Sequence, residues 1–95
     1  MFVVLLEFAT NKSQAAHFME GHKAWLQRGF DDGVFQLSGS VLPAAGGAVL
    51  AHGVTRAELE QRVAQDPFVA EGVVGAKIIE IAPSRASEPL AFLLA

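Results

Sequence analysis

The sequence predicts an α+β domain, a four-stranded antiparallel sheet with two helices on one face. Three observations carry this. Strand-like and helix-like segments follow one another in the order β-α-β-β-α-β. The two middle strands are joined by the flexible loop Pro43-Ala44-Ala45-Gly46-Gly47, as in a hairpin with a longer connection. The tetrad Thr55-Arg56-Ala57-Glu58 is a capping box that opens the second helix.

Phe2 to Phe8 reads as the first strand, rich in β-branched and aromatic residues and polar only at Glu7. Both of its alternating sets, Phe2/Val4/Leu6 and Val3/Leu5, are apolar, so both faces are expected to be covered. Thr10-Asn11-Lys12-Ser13 breaks that pattern and supplies candidate helix caps. Ala15, Phe18, Met19, His22, Trp25, Leu26 and Gly29 follow at helical spacing. Asp31-Asp32-Gly33 is a turn. Val34 to Val41 forms the second strand, with Val34, Gln36 and Ser38 alternating against Phe35, Leu37 and Gly39. Pro43 to Gly47 is a loop, and Ala48 to His52 the third strand.

The capping box follows, with Thr55 as N-cap and Glu58 three residues on, flanked by Val54 and Leu59 at the hydrophobic-staple positions. This helix is expected to end near Gln65, because Pro67 disfavours helical geometry at Asp66. Val73 to Ala82 is the fourth strand, again apolar on both sets. Residues 83–89 form a polar linker with a proline at each end, and Leu90-Ala91-Phe92-Leu93-Leu94-Ala95 is an apolar tail. The division expected is therefore a domain over residues 1–82 and a linker with tail over 83–95.

This order is the ferredoxin-like split βαβ arrangement. Helices on one face leave the other face of the sheet open, yet its residues are apolar too. Two such sheets packed face to face would cover them, giving a dimeric α+β barrel and hence a homodimer. The tail, with four large apolar side chains, is expected to cross to the partner and pack along the dimer interface, or else to fold back on its own chain or be disordered in solution.

Composition narrows the function. A chain of 95 residues buries only about 60–65% of its unfolded surface, so 52% hydrophobic content argues for a partner subunit. A net charge of −3 without a basic run argues against nucleic acid. The absence of cysteine excludes disulfides and thiolate metal sites. No apolar run is long enough for a membrane span. The opening residues lack a basic leader and a cleavage site, so a cytoplasmic protein is the default expectation.

The candidate site comes from two residues far apart in sequence. Asp66 is expected at the C-terminal, negative end of a helix dipole, where a cation would be favoured. A carboxylate there either caps a turn before Pro67 or serves chemistry. His22 lies inside the apolar stripe of the first helix, between Phe18 and Trp25-Leu26. In this topology the end of the second helix lies near the first half of the first, so Asp66 and His22 are able to meet. Strand two ends in the same neighbourhood, which brings Ser38 and Gly39 close. A pocket lined by Phe18, Ser38 and Phe68 is expected beside the pair.

Other chemistries fit poorly. Ser38 and Ser40 lie in a strand with no nucleophile elbow. His17 and His22 differ by five positions, which does not stack them on a helix face, so no metal site is expected. Gly46-Gly47 lacks the lysine-containing continuation of a phosphate loop.

The chain resembles the YCII-related family. The matching features are the opening strand Phe2-Val3-Val4-Leu5-Leu6-Glu7-Phe8, His22 followed by Trp25-Leu26, Leu37-Ser38-Gly39, the hairpin, the capped second helix, and Asp66-Pro67-Phe68 before the last strand. The resemblance spans about residues 1–82. It implies a ferredoxin-like fold, a dimer, and a His22–Asp66 pair as catalytic residues. It further implies acid/base elimination, such as loss of HCl from a chlorinated aromatic, and no cofactor is expected for that chemistry. Ser40 stands where the family often has a proline, and Phe18-Met19-Glu20 where it tends to have a basic or tyrosine residue. Both departures bear on ligand preference rather than fold.

Histidine takes and gives protons near neutral pH, and a carboxylate on one ring nitrogen fixes the tautomer that the other presents. Two function classes follow. One is a small lyase or isomerase working by His/Asp acid–base chemistry. The other is a non-catalytic module that binds or senses a small ligand in the same pocket.

Overall fold

A computed structural model describes residues 1–94 of the chain. The strands are β1 (Phe2–Phe8), β2 (Phe35–Val41), β3 (Gly46–Ala51) and β4 (Val74–Glu80). The helices are α1 (Ala15–Asp31), α2 (Arg56–Ala64) and a one-turn α3 (Pro67–Ala70). The sheet runs β2-β3-β1-β4 with every neighbour antiparallel, the ferredoxin-like arrangement.

Residue alternation assigns the two faces. Phe2, Val4 and Leu6 of β1, Val49 and Ala51 of β3 and Val74 of β4 are buried with Trp25, Leu59, Val63 and Phe68 of the helices. This is the core. The opposite face carries a row that crosses all four strands in register, Leu37–Leu50–Val3–Ile79. Leu37 is 60% exposed and Ile79 37%, so this apolar face has no cover among the described residues.

Helix α2 begins as its capping box dictates. The Thr55 hydroxyl accepts from the Glu58 backbone N–H, and a Glu58 carboxylate oxygen accepts from the Thr55 N–H. The Thr55 amide and hydroxyl, donated to the ionised form, hold the Glu58 carboxyl below its ordinary value. At its other end, the Trp25 indole N–H of α1 donates to the Arg62 carbonyl at 2.8 Å. The Arg62 carbonyl also accepts from the Gln65 N–H, so the indole is its second donor, and the bond ties the end of α2 to the middle of α1.

Two expectations are corrected. Asp66 is not a misplaced carboxylate at a helix C-terminus, because the chain starts a new turn at once. Asp66 has extended backbone geometry and is the N-cap of α3, with Pro67 at the first helical position and the Phe68 N–H donating to Asp66 Oδ1 at 3.0 Å. Its charge therefore faces the favourable, positive end of a helical turn. Strand two also does not alternate uniformly. A bulge between Phe35 and Leu37 shifts the register. It leaves Phe35 in the core, turns Leu37 to the open face, and returns Ser38 and Ser40 to the helix side opposite Val49 and Gly47.

The tail forms a 3₁₀ segment from Glu88 to Leu94. Leu93 is buried on its own chain, and the Phe92 ring meets His52 edge-on, whereas Leu90, Phe92 and Leu94 remain exposed.

Candidate active site

The site lies where α1, α3 and the ends of β2 and β3 converge. His22 Nδ1 and Asp66 Oδ1 are 2.9 Å apart. Asp66 has no solvent exposure, and the His22 side chain is 13% exposed. Oδ1 accepts two hydrogen bonds, one from the His22 ring and one from the Phe68 N–H. Oδ2 is buried and has no partner among the described residues. A carboxylate is acceptor-only, so the shared bond requires the proton on Nδ1. With the ring neutral, that leaves Nε2 unprotonated and without a hydrogen bond to the described residues, on a side chain that lines the cleft beside it.

Asp66-Pro67-Phe68 acts as a unit on His22. Asp66 bonds the ring, and Phe68 stacks on it with centroids 4.1 Å apart and planes within 5°. Trp25 lies on the same ring at 5.8 Å. Pro67 approaches α1 at Gly21, where an added Cβ would stand 2.9 Å from Pro67 Cγ. Only a glycine beside His22 lets α3 approach this closely. The imidazole thus has its tautomer, its plane and its backbone fixed by three consecutive residues.

Beside it is a cleft of about 330 Å³. Met19, His22, Lys23 and Leu26 of α1 form one wall, at spacings of three and four residues that share a helix face. Leu6, Ser38, Ser40, Gly47 and Val49 line it from the sheet, and Phe68 from α3. The arrangement can hold a small, largely apolar molecule against one imidazole nitrogen, two hydroxyls and one ammonium group. Among the described residues no group of three His, Cys, Asp or Glu side chains is placed to hold a metal ion. No helix among them is long and apolar enough to cross a membrane.

Of the residues singled out from sequence, His22 and Asp66 meet, and Ser38 and Phe68 line the cleft. Phe18 does not. It sits about 100° round the helix from Met19, partly buried against the core with its ring on His17, and Met19 takes the wall position one turn before His22. Sequence reasoning missed Gly21, Lys23 and Ser40 as site residues. A glycine in mid-helix was a signal for Gly21, since it costs stability unless something must come close. Ser40 lies two residues beyond Ser38 on the same face, and that alternation was its signal.

A family model described as YCII-related domain matches residues 1–82. Among solved structures the chain is similar to 5-chloro-2-hydroxyhydroquinone dehydrochlorinase, TftG, from Burkholderia phenoliruptrix, in complex with 2,5-dihydroxybenzoquinone. Identity is 16%, the TM-score is 0.69, and the match covers 85% of this chain and 93% of that one. At that identity the likeness is one of fold. No curated protein matches the sequence.

Proposed function

This chain belongs to the YCII-related family, and we propose that it is a small cofactor-independent enzyme performing His/Asp acid–base chemistry on a small, single-ring aromatic substrate. The observation that carries the reading is the His22–Asp66 bond, made by a histidine that lines a largely apolar cleft. In the proposed elimination the substrate reacts as a keto tautomer of the ring, in which the carbon bearing the leaving group is saturated, and Nε2 takes a proton from a hydroxyl or carbon conjugated with that centre. The electron pair left behind moves into the ring and expels a leaving group as its anion, with chloride as the case suggested by the dehydrochlorinase of like fold. The sum is loss of HX, with the proton held on His22 until solvent removes it. Asp66 supports the imidazolium through Nδ1 and keeps its own negative charge, so it is a positioning residue. Lys23 and the hydroxyls of Ser38 and Ser40 suit the oxygens of an ionised substrate.

A second reading has one observation in its favour. Asp66 Oδ1 already caps α3, so the pair also has a purely structural use. On that reading the cleft binds a small ligand without turning it over.

The reading extends to assembly. The uncovered apolar face suits a homodimer with sheets packed together. Residues 1–82 would be the domain, and within 83–95 the exposed Leu90, Phe92 and Leu94 would be the tail's contribution to the interface.

Chloride release from 5-chloro-2-hydroxyhydroquinone and other chlorinated hydroxyaromatics, followed by ion chromatography, tests the chemistry. Turnover should vanish in His22→Ala while binding of the ring persists. Binding without any halide release by the wild-type protein would select the ligand-binding reading, and full activity in His22→Ala would remove the base.

A further inference from the structure

Resting on the reading of the cleft as a ring-binding site, we infer that Gly47 is a specificity-determining residue, the bare floor on which a flat single ring lies opposite His22. Gly46 and Gly47 adjoin in sequence but have different duties. Gly46 has a φ of +115°, and a Cβ there would run into the Leu6 carbonyl, so the fold itself demands glycine. Gly47 has no such requirement. Its φ lies outside the left-handed range, and an added Cβ would meet the Gly39 carbonyl oxygen at 3.4 Å and nothing else within 4 Å.

The direction of that Cβ follows from register. Gly47 pairs with Leu6 on one side and Ser40 on the other, and Leu6 is buried on the helix side. A side chain at position 47 would therefore project into the cleft. Strand β3 is an interior strand, where a β-branched residue would be favoured and glycine weakens the sheet. A position where a side chain has room to start and would stabilise the strand is left bare, and it lines the same cleft as the candidate base. The empty volume belongs to the ligand rather than to the fold. It is bounded by the sheet on one side, Gly47 included, and by Met19 and Leu26 of α1 on the other. It suits one planar ring without bulky substituents on the face towards the sheet.

Titration of the full-length protein with 2,5-dihydroxybenzoquinone, catechol and benzoate, followed by amide and imidazole NMR shifts, tests this against Gly47→Ala and Gly47→Leu. Gly47→Leu should weaken ring binding by roughly tenfold or more, with a melting temperature no lower than wild type, and Gly47→Ala should fall between. Ring binding unchanged in Gly47→Leu overturns the assignment. So does a lower melting temperature in Gly47→Ala, because that makes the glycine structural. If Gly47→Leu does not fold, the two readouts on Gly47→Ala decide. The underlying reading fails separately. If none of the three rings binds the wild-type protein, both fall. If they bind both proteins equally and His22→Ala abolishes turnover, only the role of Gly47 is lost.

Discussion

Gly21 and Pro67 are packed so closely that a single added carbon at position 21 would overlap the proline ring, at 2.9 Å from Cγ. Each is the sequence neighbour of a candidate site residue, Gly21 of His22 and Pro67 of Asp66. The contact that seats α3 on α1 therefore also sets the distance between imidazole and carboxylate.

Gly21→Val should break this. The branched side chain has to displace α3, at a cost of about 1–3 kcal/mol for overpacking. Because α3 carries both Asp66 and Phe68, activity should fall further than stability does. Thermal melting gives the stability, and the His22 imidazole shift in NMR reports the hydrogen bond. A Gly21→Val protein with wild-type melting and an unchanged His22 signal would show that the close approach is not required.

Asp66 has two partners on one oxygen, and substitutions should separate them. Asp66→Ala strands the Phe68 N–H and the His22 Nδ1–H in a buried place. The loss of a cap and of a buried acceptor should together cost about 2–4 kcal/mol. Asp66→Asn keeps an acceptor at the Oδ1 position and should unfold closer to wild type, while losing the charge that supports an imidazolium. If the pair is catalytic, Asp66→Asn should lose turnover out of proportion to its stability. Denaturant titration beside single-turnover rates distinguishes the cases. Asp66→Ala as stable as wild type would contradict the geometry outright.

Much of this was legible in the sequence. The capping box needs only Thr55 and Glu58 at the right spacing, and the strand pattern needs only local alternation. The bulge after Phe35 was not legible, because one extra residue inverts a face without altering composition. Reading strand two as uniform put Ser38 on the face opposite Phe35, when the bulge gives both the helix side. Asp66 was conspicuous for the wrong reason. It looked unfavourable at the end of one helix because the four residues from Pro67 to Ala70 are too few to announce another by periodicity. Phe18 and Met19 differ by one position on a helix, and the apolar stripe was too broad to tell which would face the cleft.

The capping box also predicts how stability depends on pH. The Thr55 amide first, and its hydroxyl second, lower the pKa of Glu58. A carboxyl held low in the folded state contributes stability that is fully present above its unfolded value. That contribution is lost as pH falls through the folded value. The melting temperature should therefore decline through the acid carboxylate range, and Glu58→Gln should flatten part of that decline. Differential scanning calorimetry on the two proteins between neutral and acid pH measures it. Parallel curves would mean that the box contributes nothing through its charge.

The open sheet face makes the prediction about assembly. Leu37 stands at one end of a row that runs through Leu50 and Val3 to Ile79, across every strand. At 60% exposure it contributes little to the fold of one chain, so Leu37→Lys should change monomer stability by no more than about 0.5 kcal/mol. In a dimer built on this face, each of two such leucines would otherwise be buried for about 1.5–3 kcal/mol, before the cost of desolvating the new charge. Since about 1.4 kcal/mol is a factor of ten, the dimer should weaken by roughly a hundredfold or more. Sedimentation velocity across a dilution series measures this directly. A wild-type protein that is monomeric at every concentration would remove the dimer, and a Leu37→Lys dimer of undiminished affinity would place the interface elsewhere. Melting of both proteins at matched dilution tells loss of association from loss of fold. The substituted protein should melt at a temperature independent of its concentration, whereas the wild type should not, because only association makes unfolding depend on mass action.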